Sequence, residues 1–192
     1  MELKKIQDIP HCLNRICFCS DYLEMNSLNH NHRLFAFDNR HIPELLSWIK
    51  TTSDLGYWAG NTFEEGLSPL IFSRHLARKD LTARMMVDTE NRLLAYGEIV
   101  KMSSRLCSFC RIAIRPDARG YGLGKKFCGS LIEWVKSAQG HEEVMLNTLS
   151  SNHAALACYT GVGFKMISRK KKARLVDGIK QDIMKMNYLI RK

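Results

Sequence analysis

Three glycines at every second position, Gly120, Gly122 and Gly124, follow Arg119 and stand at the head of an amphipathic run. Their types and spacing suit anion binding. The first turn of a helix carries backbone N–H groups with no intrahelical partner and the positive end of the macrodipole, so an anion placed there satisfies both. Glycines let the backbone approach the ligand because no Cβ intervenes. A Walker loop does not fit, since Gly124 is followed by Lys125 and Lys126 and not by Lys and Ser/Thr. A dinucleotide fingerprint needs Gly-x-Gly-x-x-Gly, which alternating glycines do not supply. The competing reading is a glycine-rich turn with no ligand.

The flanking elements place this loop. An apolar run over 106–114 predicts a buried strand that ends before Pro116. After the glycines, Leu123, Phe127, Leu131, Val135 and Ala138 line one face of a helix, with Lys125, Lys126, Ser130, Glu133 and Lys136 opposite. A further strand is predicted over 144–149. Strand, loop, helix and strand in that order imply a right-handed crossover joining two parallel strands.

Arg119-x-x-Gly122-x-Gly124 after a strand ending Ile112-Ala113-Ile114 resembles the acetyl-CoA pyrophosphate loop of the GNAT superfamily of N-acetyltransferases. Some thirty residues later, Asn152-x-x-Ala155-x-x-x-Tyr159-x-x-x-Gly163-Phe164 is similar to that superfamily's second signature. The resemblance covers roughly residues 34 to 190 and implies an α/β fold of α+β type. The expected architecture is a mixed, mostly antiparallel sheet of six or seven strands, with helices on both faces and one splayed parallel pair. It implies acetyl-CoA as co-substrate, without a metal, and assigns its binding to Ile112, Ala113, Ile114, Arg119, Gly120, Tyr121, Gly122, Leu123, Gly124, Lys125, Asn152 and Tyr159.

N-acetyl transfer needs a neutral amine, a polarised thioester and a proton for the departing thiolate. Tyr159 stands where the family keeps a phenol for the last task; the alternative is a tyrosine packed against the sheet. Asn152 has two compatible readings, coenzyme contact and helix cap. The base is less legible. Some family members carry a glutamate twelve residues before the tyrosine, where this chain has Asn147, and the strand over 106–114 holds no carboxylate. Glu98 is the nearest candidate, either facing the cleft with a raised pKa or pointing outward from an alternating strand. Water relaying the proton is the default. In this family the segment after the first helix helps form the acceptor pocket, which makes Tyr57, Trp58 and Phe63 candidate substrate contacts; core packing explains these aromatics equally well.

The remaining chain bounds the picture. At 192 residues, with 45% hydrophobic and 25% charged residues, it suits one globular domain. Residues 1–33 read as an extension of unclear structure and 34–192 as the catalytic domain. There is no apolar run long enough for a membrane span and no secretory leader in the first twenty residues. Seven cysteines, an odd number, fit a reducing cytoplasm better than a disulfide framework. His11, Cys12, Cys17, Cys19, His30 and His32 match no standard zinc spacing. Cys107 and Cys110 fall in a strand, where side chains three apart face opposite ways.

Other predicted elements are a short strand over 34–37, a helix capped by Asp38 or Asn39 with Ile42, Leu45, Leu46 and Ile49 on one face, and a helix over 69–78. Strands follow at 83–87 and 93–100, then a short helix over 152–160 closed by Gly161. Two last strands flank Asp177-Gly178, a two-residue hairpin signal. A net charge of +10 favours an anionic coenzyme. The run Arg169-Lys-Lys-Lys-Ala-Arg174 reads as a solvated strand end, with a nucleic-acid or ribosome partner as an unsupported alternative. Three function classes remain: an N-acetyltransferase acting on a primary amine as monomer or homodimer, an acyl-CoA-binding protein with little catalysis, and a basic nucleic-acid-binding module.

Overall fold

The computed structural model describes residues 33–138 and 140–190, so the histidines and cysteines of 11–32 lie outside the described residues. Seven strands form one sheet in the order β1-β2-β3-β4-β5-β7-β6. They are β1 (Phe35–Ala36), β2 (Leu81–Val87), β3 (Leu93–Lys101), β4 (Leu106–Ile114), β5 (Glu143–Leu149), β6 (Lys165–Val176) and β7 (Ile179–Leu189). Every neighbouring pair is antiparallel except β4 and β5.

Helices α1 (Ile42–Ser47), α2 (Thr52–Ala59) and α3 (Pro69–Leu76) precede β2. Their apolar residues form a cluster of Ile42, Leu45, Ala59 and Phe72 with Phe63, Leu93 and Tyr96. The second layer is α4 (Leu123–Ala138), whose Phe127, Cys128, Leu131, Ile132 and Val135 are all buried. This stripe is wider than the predicted one. Phe127 lies where a Cβ on Gly97 would come within 2.8 Å of its ring, so α4 covers the face of β3 opposite Tyr96. Covered on both faces, β3 is buried from Leu93 to Val100 and does not alternate with solvent as a one-sided strand would.

One helix was not foreseen from the sequence, and one local expectation needs correction. The stretch after α1 is a helix: Thr51 and Asp54 form a reciprocal capping box at its start. That signal stands in the sequence as Thr-x-x-Asp. The short helix α5 runs from His153 to Val162, past Gly161, and ends at Gly163 with φ 110°. Only Gly163 takes the left-handed conformation that closes a helix, whereas Gly161 lies inside it against the Lys125 side chain. Asp177 and Gly178, at φ 50° and 73°, form the tight turn between β6 and β7.

Candidate active site

Strands β4 and β5 pair only from Leu106–Glu143 to Phe109–Leu146, although β4 continues to Ile114 and β5 to Leu149. The split begins at a bulge. Tyr96 opposes Ala113 and Glu98 opposes Cys110, so Arg111 and Ile112 together face Gly97. Two residues against one bend the bulged strand, and Arg111 sits at φ 47°, uncommon for a residue with a side chain. Three contacts hold it, one of them from Arg111 Nη1 to Thr62 Oγ1 at 3.1 Å. The Trp58 indole N–H donates to the Arg111 carbonyl at 2.8 Å, and the Arg111 guanidinium lies against the Glu98 carboxylate, with Nε to Oε2 at 2.6 Å.

Glu98 is therefore neither outward-facing nor raised in pKa. It is fully buried and also accepts from Tyr96 Oη at 2.8 Å and His75 Nε2 at 3.0 Å. Burial pulls its pKa up, but the His75 and Arg111 hydrogen bonds outweigh that and hold it below the usual glutamate value. Sequence reading missed His75 and Arg111, because no local pattern marks residues from three elements that meet around one carboxylate.

At the far end of β4, Ile112 and Ile114 are half-buried and Ala113 is buried, and the Arg119 Nε donates to the Ile114 carbonyl at 2.9 Å. Gly120 and Gly122 have φ 86° and 83°, and a Cβ on either would meet open space. Tyr121 is exposed. Among the described residues, the backbone N–H groups from Gly120 to Lys125 find no protein acceptor; the first closed turn of α4 is Lys126 N–H to the Gly122 carbonyl. Gly124 serves packing, since a Cβ there would lie 3.3 Å from Cys158 Sγ on α5.

Asn152 Oδ1 accepts from the Ala155 N–H at 3.1 Å, so it caps α5. Tyr159, one turn before the end of α5, is half-buried with its ring edge-on to Phe164. Its hydroxyl has no hydrogen-bond partner among the described residues. Burial pushes this phenol well up, and the thiols of Cys128, Cys158 and Cys110 push the same way; Phe164, against which its ring packs, in turn packs on Phe109 of β4. Cys110 and Cys107 sit in β4, the latter buried and pushed up to about 12 by burial. No group of three or more metal-ligating side chains occurs among the described residues, and no helix there is long and apolar enough to cross a membrane.

The three aromatic candidates separate. Phe63 is core, stacked on Trp58. Tyr57 is exposed and its hydroxyl lies 3.1 Å from Ser151 Oγ. Adjacent residues of α2 thus reach both arms of the split, Trp58 to β4 and Tyr57 to the loop after β5. Asn147 is exposed on β5.

The unpaired loop amides, the splayed strands and the phenol form one arrangement. Residues 42–164 match the model of the Acetyltransferase (GNAT) family. The chain belongs to this family. A curated relative, "Uncharacterized N-acetyltransferase YobR" of Bacillus subtilis (strain 168), is 27% identical over 172 residues. That match takes in 85% of this chain, which spans 62% of the relative's length. The fold is similar to a spermidine N-acetyltransferase from Vibrio cholerae solved with CoA and spermine: TM-score 0.67, 17% identity, 82% of this chain and 94% of that one. A structure of the Vibrio cholerae spermidine/spermine N-acetyltransferase SpeG with manganese ions gives TM-score 0.67 at 17% identity, over 84% and 94% of the two chains. At that identity the likeness shows the GNAT fold alone.

Proposed function

We propose that this GNAT protein transfers the acetyl group of acetyl-CoA to a primary amine of a small molecule or protein by direct attack. The observation that carries the reading is the row of unpaired N–H groups from Gly120 to Lys125 at the end of a strand split from its neighbour. These amides fit a pyrophosphate, with Arg119 and Lys125 adding charge. The backbone of Ile112, Ala113 and Ile114, unpaired toward β5, suits the amide groups of a pantetheine arm, and Asn152 lies at the other side of the split. Acetyl-CoA supplies an activated acyl thioester.

Tyr159 holds and delivers a proton. A phenol pushed upward stays protonated through neutral pH, and the desolvation that keeps it neutral also destabilises a thiolate formed beside it. As the amine nitrogen bonds to the acyl carbon and the carbon–sulfur bond breaks, the sulfur takes the Tyr159 proton. The amine gives one proton to water, from which Tyr159 is reprotonated. Glu98, sealed beneath Arg111, serves the site by holding the bulge, and water relays the amine's proton. Tyr57 and Trp58 wall the acceptor side, with Phe63 behind them. Among the described residues, the four cysteines Cys107, Cys110, Cys128 and Cys158 are free, which supports a cytoplasmic setting.

A second reading, coenzyme binding with little catalysis, is favoured by the sequestration of Glu98. One experiment separates them. Calorimetric titration with acetyl-CoA, with dephospho-CoA for comparison, is followed by thiol release across a panel of amines. Saturable micromolar binding with amine-dependent thiol release supports the transferase; binding without release leaves the second reading; no binding at millimolar coenzyme removes both.

A further inference from the structure

The basic run is not a strand end. It lies within β6, the outer strand of the sheet, where Lys170 pairs with Ile183 and Arg174 with Gln181. Three residues, Lys171, Lys172 and Ala173, therefore oppose Asp182 alone. Asp182 pins this wide bulge from below: its Oδ1 accepts from the Lys172 N–H at 2.7 Å and its Oδ2 from Arg169 Nε at 2.5 Å. Lys172 sits at φ 49°, a conformation that the Asp182 bond supports. Lys165, Lys170, Lys171 and Lys172 are exposed; the one carboxylate beneath them, Asp182, is ion-paired with Arg169 and lies within reach of the Lys171 charge.

The same strand leads to the acceptor side of the split. Arg174 lies over the end of α2, where a Cβ on Gly60 would overlap its guanidinium, and Val176 packs beside Gly56. Ser53 Oγ donates to Asp177 Oδ2 at 2.5 Å. The lysines of the bulge are thus about 7 Å of extended chain from the helix that spans the two arms of the cleft.

We infer that the β6 bulge is a docking surface for an acidic polypeptide whose amino group is the acceptor; this rests on the transferase reading above. Charge complementarity selects an anionic partner and opposes pairing of this edge with a second copy of itself. An outer strand also offers backbone groups to an extended peptide. Polypeptides carry basic, nucleophilic amines, whereas the exocyclic amines of nucleobases are delocalised into their rings. β6 contains no aromatic residue on which bases would stack.

The test uses the full chain and two fluorescent peptides with the same free amine, one followed by a run of Asp and Glu, the other by Asn and Gln. Binding is read by anisotropy and acetylation by thiol release, for the wild type and for Lys170→Glu/Lys171→Glu/Lys172→Glu, whose sites are exposed. The expected result is binding of the acidic peptide about tenfold tighter than the neutral one at low salt, the scale of a few exposed ion pairs. The preference should vanish at about 0.5 M salt and in the triple variant, with turnover of a small neutral amine unchanged. Asp182→Asn, which keeps every lysine but loosens the bulge, should weaken the preference partway. Equal binding of both peptides by the wild type, or a preference that survives in the triple variant, overturns the inference. So does a single-stranded RNA that displaces the acidic peptide and is itself lost with the three lysines. Failure of every amine to react would remove the transferase reading, while the anisotropy arm still decides the surface.

Discussion

Replacing Glu98 with leucine tests whether the bulge that opens the cleft is held from below. The Glu98 carboxylate is completely buried, and the side chains of Arg111 and His75 are only 8% and 7% exposed. Solvent therefore cannot take over the missing interaction. Removing one partner of a buried ion pair costs about 3–5 kcal/mol, because the other charge is left uncompensated. For a chain of this size, about 2–4 °C per kcal/mol gives a fall in Tm of roughly 6–20 °C. The assay is urea unfolding at pH 7 followed by tryptophan fluorescence, with the slope checked for constancy, alongside calorimetric titration with acetyl-CoA. Affinity should fall together with stability, since Arg111 no longer anchors the split. Glu98→Leu combined with Arg111→Met should recover much of the stability, because an apolar replacement of a whole buried pair is often neutral, but should not recover coenzyme affinity. A loss below about 1 kcal/mol for the single variant, or a double variant no more stable than the single, would refute the reasoning.

Gly122→Asp meets no steric obstacle in the protein, so it should fold, at a cost of about 1–2 kcal/mol for its left-handed backbone, yet lose coenzyme binding in calorimetry because its carboxylate faces the anion site. Tyr159→Phe should leave acetyl-CoA affinity nearly unchanged and lower kcat by about 10²-fold, the scale of a lost general acid; unchanged turnover would make Tyr159 a packing residue. The acid limb of stability should reflect Glu98. Its pKa is depressed in the folded state, so its contribution is complete above the ordinary glutamate value of about 4.3 and is lost as pH falls through the lower folded value. Unfolding free energies of Glu98→Gln should accordingly fall less steeply than those of the wild type below about pH 4.3, and parallel curves would argue against an ionised Glu98.

Local chemistry was legible in the sequence because short-range rules produce it. The strand over 106–114, the glycine loop, the apolar stripe of α4 and the Asp177-Gly178 turn each follow from side-chain periodicity or from backbone conformations that only a few residues accept. The capping box of α2 was equally local, but the glycine and aromatic content of that stretch obscured it. Gly161 and Gly163 could not be separated by composition; position relative to the Lys125 side chain and a left-handed φ decided between them.

The sequence by itself thus determined most of the elements, their order and the glycine loop, since each depends on residues a few positions apart. Only the tertiary structure decided what Glu98, Trp58 and the lysines of β6 do. Glu98 became a clamped anion because His75, Tyr96 and Arg111 converge on it from α3, β3 and β4. Trp58 reached the Arg111 carbonyl across 53 residues. The basic run became a pinned bulge because Asp182 lies opposite it on β7. Contacts between residues far apart in the chain depend on how strands register and how layers pack, which no local pattern encodes.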